Sequence, residues 1–275
     1  MTAPTLTVVR PPYKVTGRRV LRAEWAKFWS LRSSWITLGV ALLLLIAIGA
    51  IASATYSPDA VAGDGPPGPG GGAASDAVSL ALTGLTFASL AIGVLGVLVS
   101  AGEYSTGMIR STLAAVPRRL PVLWSKSAVF GSVALVVTTV AALAAFTLGG
   151  LGLDGEKIAL SLGDDGVLRS LVGAGLYLGL VAVWGVALGA LVRSTAGGIA
   201  ILVGVLLILG GLATLLPDSW EDTITPYLPG NAGGAVYALH ESADSLSPGA
   251  GLAVFVGWVA LTLAGAAYRL ARTDA

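Results

Sequence analysis

Few residues in this 275-residue chain could do chemistry, and the types present exclude whole classes of it. There is no cysteine and a single histidine, His240, which removes thiol catalysis, disulfide frameworks and cysteine-based zinc sites. His240 is followed by Glu241 but lacks the second histidine of a helical zinc site, so it reads as a solvated loop residue. Gly102 and Gly107 have the spacing that begins a phosphate-binding loop. Met108 and Ile109, however, stand where Lys and Ser or Thr must hold phosphate and magnesium. Gly150, Gly152 and Gly155 match a dinucleotide fingerprint by spacing alone, since they follow a long apolar run and open no helix of a βαβ unit. Ser132, Thr138 and Thr139 have no base near them in sequence. No catalytic residue and no metal ligand is therefore assigned.

What remains is one polar, basic stretch between two apolar runs, residues 102–126, GEYSTGMIRSTLAAVPRRLPVLWSK. Residues 106–116, with Arg110 among them, are expected to form a short helix that Pro117 stops. Arg118 and Arg119 follow its C-terminal end, where cations suit the helix dipole. Pro121 then redirects the chain and Lys126 marks the next boundary. Such a helix lying on a membrane face is a handle for a soluble partner; the alternative is a positively charged re-entry loop that only enforces topology.

The elements around this stretch are set by hydropathy. The chain is 55% hydrophobic and 11% charged, where a soluble domain carries about 25% charged residues. It is thus an all-α integral membrane protein. A span needs about 20 apolar residues, and six segments qualify: 35–55, 77–101, 127–150, 168–192, 196–216 and 249–268. Only Arg169 is charged within these limits, at one extreme end. Placing both termini, residues 102–126 and the turn at Arg193 on one side collects 14 of the 16 basic residues and leaves Lys157 and Arg169 opposite. Of the 15 acidic residues, Glu24, Glu103 and Asp274 alone share the basic side. By the positive-inside rule both termini are expected in the cytoplasm. The implied division is an N-terminal segment 1–34, a six-span domain 35–268 and a tail 269–275.

Residues 17–34 have helical periodicity, with Leu21, Trp25, Phe28 and Trp29 on one arc and Arg18, Arg19, Arg22 and Lys27 on much of the other side. Glu24 interrupts the margin of the apolar arc. This is either an interfacial amphipathic helix, its aromatic face at the acyl boundary and its basic face on anionic headgroups, or a plain basic flank that orients the first span. Gly175 with Gly179, and Gly185 with Gly189, put small residues four apart on the fourth span, as close helix packing requires. Trp35, Trp124 and Trp220 lie near span boundaries, as in an aromatic belt, and Trp184 and Trp258 lie deeper. Between spans, residues 57–74 form a Gly/Pro-rich linker, 149–167 a short acidic loop, and 217–248 a longer one. In the last, Ile224, Tyr227, Leu228, Val236, Tyr237 and Leu239 sit among turn residues. That mixture fits short helices dipping back toward the bilayer, or an ordinary ordered loop.

The span interiors hold no ionisable group, whereas ion-coupled carriers and proton relays usually need one. A transporter of this composition would draw its energy from another polypeptide.

Three stretches make the chain resemble the membrane-spanning permease subunits of bacterial type-2 ABC exporters, of the Ala- and Gly-rich, actinobacterial-like kind. They are LRAEWAKFWSLRSSWITL at 21–38, residues 102–126, and TPYLPGNAGGAVY at 225–237. With six spans the resemblance covers the chain after Pro12, and the middle stretch, with Glu-Tyr, Gly-x-Ile-Arg and Pro-x-Arg in succession, is its most specific part. The resemblance implies that the N-terminal helix is an elbow on the cytoplasmic face of the plasma membrane. It also implies a coupling helix between the second and third spans that docks on a separate ATPase. Glu103, Tyr104, Gly107, Ile109, Arg110, Pro117 and Arg119 match that coupling region. Tyr227, Leu228, Pro229, Asn231 and Gly233 match an external re-entrant region. The expected partners are ABC ATPase subunits, which would carry ATP and Mg, and a second permease half; no cofactor is expected in this chain and no nucleic acid as partner. The cargo would be hydrophobic or amphipathic. Rival readings from other classes are a non-transporting scaffold or sensor and a passive channel, against which count the lack of a folded external domain and of charge rings in the spans.

Overall fold

In hydrocarbon every backbone polar group must be satisfied within the protein, which forces long apolar segments into helices. The computed structural model describes residues 16–56, 76–153, 155–213, 223–240 and 245–272. Among them the protein is all-helical, with no strand. An N-terminal helix α1 (Gly17–Ser30) is followed by α2 (Arg32–Ala54), the short α3 (Ala77–Ala81), α4 (Leu85–Ser105), α5 (Met108–Ala115), α6 (Leu120–Gly152) and α7 (Val167–Val192). Then come α8 (Thr195–Val203), which runs through a π-helical turn (Gly204–Ile208) into α9 (Leu209–Ala213), a 3₁₀ turn (Thr225–Tyr227), α10 (Pro229–Tyr237) and α11 (Pro248–Arg272). Six of these helices, with α8 and α9 counted as one, are long and apolar enough to cross a membrane.

Two expectations about the spans change. The second is not continuous from Ala77: α3 ends at Ala81, and α4 begins only at Leu85. Asp76 closes a capping box with Ser79 that starts α3, and Gly84 then lies on the backbone of α2, where an added Cβ would sit 2.6 Å from Leu44 O. The break lets the chain fold over α2 before it crosses. The fifth span is interrupted by the π turn rather than being a uniform helix, a form in which a helix absorbs an extra residue. The linker 57–74, Trp220 and the last residues assigned to the fifth span fall outside the described residues.

The centre of the bundle is α7, most of whose apolar length is buried, whereas little of the fifth span is. Its glycines explain how neighbours come so close. Cβ atoms added to Gly175 and Gly179 would meet Thr139 and Leu135 of α6; those on Gly185 and Gly189 would meet the backbone oxygens of Gly93 and Val97 of α4. One helix thus carries two small-residue faces, each against a different span. On the same helix Trp184 is buried and donates to Thr262 Oγ1 of α11 at 2.9 Å. Trp258 is partly exposed and donates to Tyr227 O at 3.1 Å.

Candidate functional site

Four charged residues meet at one end of the helical bundle. Lys126, at the start of α6, donates to Glu24 Oε2 of α1 and to Glu103 Oε1 of α4, each at 2.8 Å. Lys27 of α1 donates to Glu24 Oε1 at 2.8 Å, to Glu103 Oε1 at 3.1 Å and to Thr112 Oγ1 of α5 at 3.4 Å. The group is formally neutral and joins α1, α4, α5 and α6. Glu24, Glu103 and Lys126 are buried, and Lys27 closes the more open side. Glu103 Oε2 is buried and accepts no hydrogen bond from the described residues. Burial opposes the charge of Glu24, but the neighbouring Lys126 and Lys27 ammonium groups outweigh it and hold the carboxyl below the usual carboxylate range. For Lys27 burial likewise acts against the charge, and the carboxylates of Glu24 and Glu103 raise its pKa above that of an ordinary lysine.

This arrangement corrects the reading of α1. The residues turned to the body are Val20, Glu24 and Phe28, so Glu24 lies at the centre of the packed stripe and is no flaw in it. Leu21, Trp25 and Trp29, expected on one arc with Phe28, remain exposed on the outer flank. Phe28 instead stacks inward on Phe130 and Trp35, with ring centroids 5.8 and 5.3 Å apart. Trp35 is part of an aromatic cluster, and its Nε1 donates to Trp29 O at 3.4 Å; Trp124 is exposed. Between these rings and the charges lies a cavity of about 460 Å³, lined among others by Leu31, Leu98, Met108 and Phe130.

The short helix α5 is built onto this cluster. Gly107 has φ of +73°, a left-handed conformation that glycine adopts without strain, and it turns the chain sharply between α4 and α5. Ile109 is buried and anchors the helix, while Arg110 and Pro117 are exposed. The helix covers Met108–Ala115, inside the expected 106–116. Arg119 does more than follow the end of α5: it donates to Leu270 O at the C-terminus of α11, at 3.4 Å. The Tyr104 ring lies 5.2 Å from the Arg193 guanidinium carbon. Arg193 in turn donates to Arg269 O at 3.4 Å, and Arg269 to Leu191 O. Three arginines thus occupy carbonyls at helix C-termini, where backbone acceptors are otherwise unmatched and cations suit the dipole. The same contacts bring the ends of α7 and α11 and the α5 segment to one end of the bundle.

At the opposite end the segment expected to dip back is a 3₁₀ turn followed by α10, whose residues 232–237 and Pro229 are buried. Asn231 Nδ2 donates to Thr225 O at 2.9 Å, and an added Cβ on Gly233 would fall 2.2 Å from the Tyr177 ring. Tyr227 is exposed and Leu228 half-buried. Arg169 donates to Ala238 O and Leu239 O, at 2.8 and 3.1 Å, and so holds the end of α10. His240 is exposed. Among the described residues no group of His, Cys, Asp or Glu could hold a metal ion.

The structure therefore brings Glu103, Thr112 and Lys126 of the 102–126 stretch together with Glu24 and Lys27, which sequence reasoning placed on the N-terminal helix. One signal pointed to them. Acidic residues are scarce on the basic side of the chain, and two of them, Glu24 and Glu103, occur beside apolar residues where an unpaired carboxylate would be costly. Compared with protein-family models and with curated proteins, the sequence matches none.

Proposed function

We propose that this chain is the membrane-spanning permease subunit of an ATP-driven exporter, with both termini in the cytoplasm and α5 as the surface on which a separate ATPase docks. The observation that carries the reading is the neutral charge cluster, which joins α1, α4 and α6 and reaches the exposed short helix through the Lys27 to Thr112 hydrogen bond. A helix on a flexible loop would absorb a push; α5, held by Ile109 and by the Lys27 to Thr112 hydrogen bond, passes it to two spans and the interfacial helix. Arg119 extends the same path to α11. Movement of rigid elements about such a joint is how distant sites are coupled.

In this reading ATP and Mg are bound by the partner subunit, and a second permease half completes the path in the cell membrane. The apolar lining of the spans favours a hydrophobic or amphipathic cargo. The test is purification of the tagged chain in mild detergent from its native cell. A stoichiometric soluble subunit bearing a phosphate-binding loop, with ATP hydrolysis that falls when Arg110 is replaced by Ala, supports the proposal. Recovery of the chain without an ATPase, even after crosslinking, would refute it in favour of a scaffold or channel.

A further inference from the structure

A second groove lies on the outer flank of the bundle, where α1 crosses the base of α6. It has a volume of about 520 Å³ and is lined by Arg18, Leu21, Arg22 and Trp25 of α1 and by Ala128, Val129 and Ser132 of α6. Its two ends differ in chemistry. Arg18 and Arg22 are one helical turn apart, so both side chains lie on one face of α1. Both are exposed, and among the described residues neither is engaged in a hydrogen bond or ion pair. Among the described residues no carboxylate lines the groove, and the one acidic residue of α1, Glu24, points to the other side, where Lys27 and Lys126 occupy it.

The rest of the groove is apolar and shallow for a definable reason. Ala128 and Ser132, again one turn apart, are small and exposed, and Val129 is buried between them, so they form a floor beside the raised walls of Leu21 and Trp25. Ser132 turns its hydroxyl back onto Val129 O at 3.1 Å, which leaves its apolar side outward. Further along α6, Leu135 and Val136 continue the exposed apolar track toward the middle of that helix. At about 1.5 Å per residue the track from Ala128 to Val136 is roughly 12 Å long.

We infer that this groove is a binding site for one anionic phospholipid of the leaflet on which α1 lies. The phosphate is held between Arg18 and Arg22, and an acyl chain runs over Ala128 and Ser132 with Trp25 at its side. A zwitterionic lipid offers the same chains but brings its own cation, which the two guanidinium groups disfavour. A soluble phosphate offers the anion but leaves the apolar floor uncovered. The match of a two-cation end to an apolar channel that continues into the bilayer selects the amphipathic anion over either. The site lies on the far side of α1 from the charge cluster.

The test uses the full chain, purified with any partner it carries, exchanged into mixed micelles of phosphatidylglycerol and phosphatidylcholine in equal amounts, and analysed by intact-complex mass spectrometry. Expected is one phosphatidylglycerol retained per protomer in preference to phosphatidylcholine, and not displaced by glycerol phosphate. Two cations near a membrane surface contribute enough that Arg18→Gln with Arg22→Gln should weaken retention about 30-fold. Ala128→Trp, which fills the floor and leaves both arginines in place, should also abolish preferential retention, while Arg272→Gln, an exposed charge removed elsewhere on the same end, should not. All these positions are exposed, and melting temperatures within about 2 °C of wild type confirm that folding is intact. Equal retention of both lipids, displacement by glycerol phosphate, or undiminished retention in Ala128→Trp would overturn the assignment.

Discussion

Replacing Lys126 by Met tests whether the buried charges act as one joint. The Lys126 ammonium donates to two carboxylates, Glu24 and Glu103, each 2.8 Å away and each about 95% buried. Removing it leaves two acidic groups sharing Lys27 alone. Hydrogen bonds to charged groups are worth about 1.5–3 kcal/mol each, so two predict a loss of about 3–6 kcal/mol. Breaking a buried ion pair from one side typically costs about 3–5 kcal/mol, in agreement. For a chain of this size each kcal/mol moves the melting temperature by about 2–4 °C, so a loss near 4 kcal/mol corresponds to roughly 8–16 °C. Lys27→Met should cost far less, on the order of 1 kcal/mol, because Lys27 keeps 30% of its side chain exposed and water can take its place. The assay is thermal unfolding of the detergent-solubilised protein followed by size-exclusion fluorescence. Glu24→Gln combined with Lys126→Met should recover part of the loss, since it removes one orphaned charge. A Lys126→Met protein that melts within about 3 °C of wild type, or no lower than Lys27→Met, would refute the reasoning.

Other expectations follow from the same geometry. Because the Glu24 pKa is lowered in the folded protein, its contribution is fully present above the ordinary carboxylate value of 4.5 and is lost as pH falls below that toward the depressed value; Glu24→Gln should flatten this acid limb in melting curves taken from pH 6 downward. Gly185→Ala drives a Cβ to 2.3 Å from Gly93 O and should cost about 1–3 kcal/mol by forcing α4 and α7 apart, read as a lower melting temperature. Gly107→Ala keeps open space around the new methyl but strains a φ of +73°; a cost of about 1 kcal/mol is expected, with faster hydrogen exchange confined to α5. Arg169→Ala releases Ala238 O and Leu239 O, and exchange should accelerate in α10 while α1 and α5 are unaffected.

How much of this was legible in the sequence varies with the physics involved. The spans were, because about 20 apolar residues in a row leave the backbone no other solution in a bilayer. The small-residue faces of α7 were visible as glycines four apart, although only the structure shows that Gly175 and Gly179 meet α6 while Gly185 and Gly189 meet α4. The break before Leu85 was hidden, since Leu82, Thr83 and Gly84 are compatible with a helix and the cause is the approach of the α2 backbone. The charge cluster was hidden for a similar reason. Its members are 102 residues apart for Glu24 and Lys126, and periodicity assigns a residue to a helix face without saying what that face meets. Glu24 looked like a defect in an amphipathic helix until Lys126 came from α6 to meet it. Glu103 was singled out by resemblance, and its buried partners supply a physical reason for an acid at that position.

The most direct measurement is site-specific photocrosslinking from α5 in native membranes, with a photoreactive amino acid in place of the exposed Arg110 and, as control, in place of the buried Ile109. Expected is an adduct from position 110, and none from position 109, to a soluble subunit with a phosphate-binding loop, its yield changing when nucleotide is added. No ATPase adduct from position 110 under conditions where the protein is folded and inserted would contradict the docking role of α5 and, with it, the exporter reading.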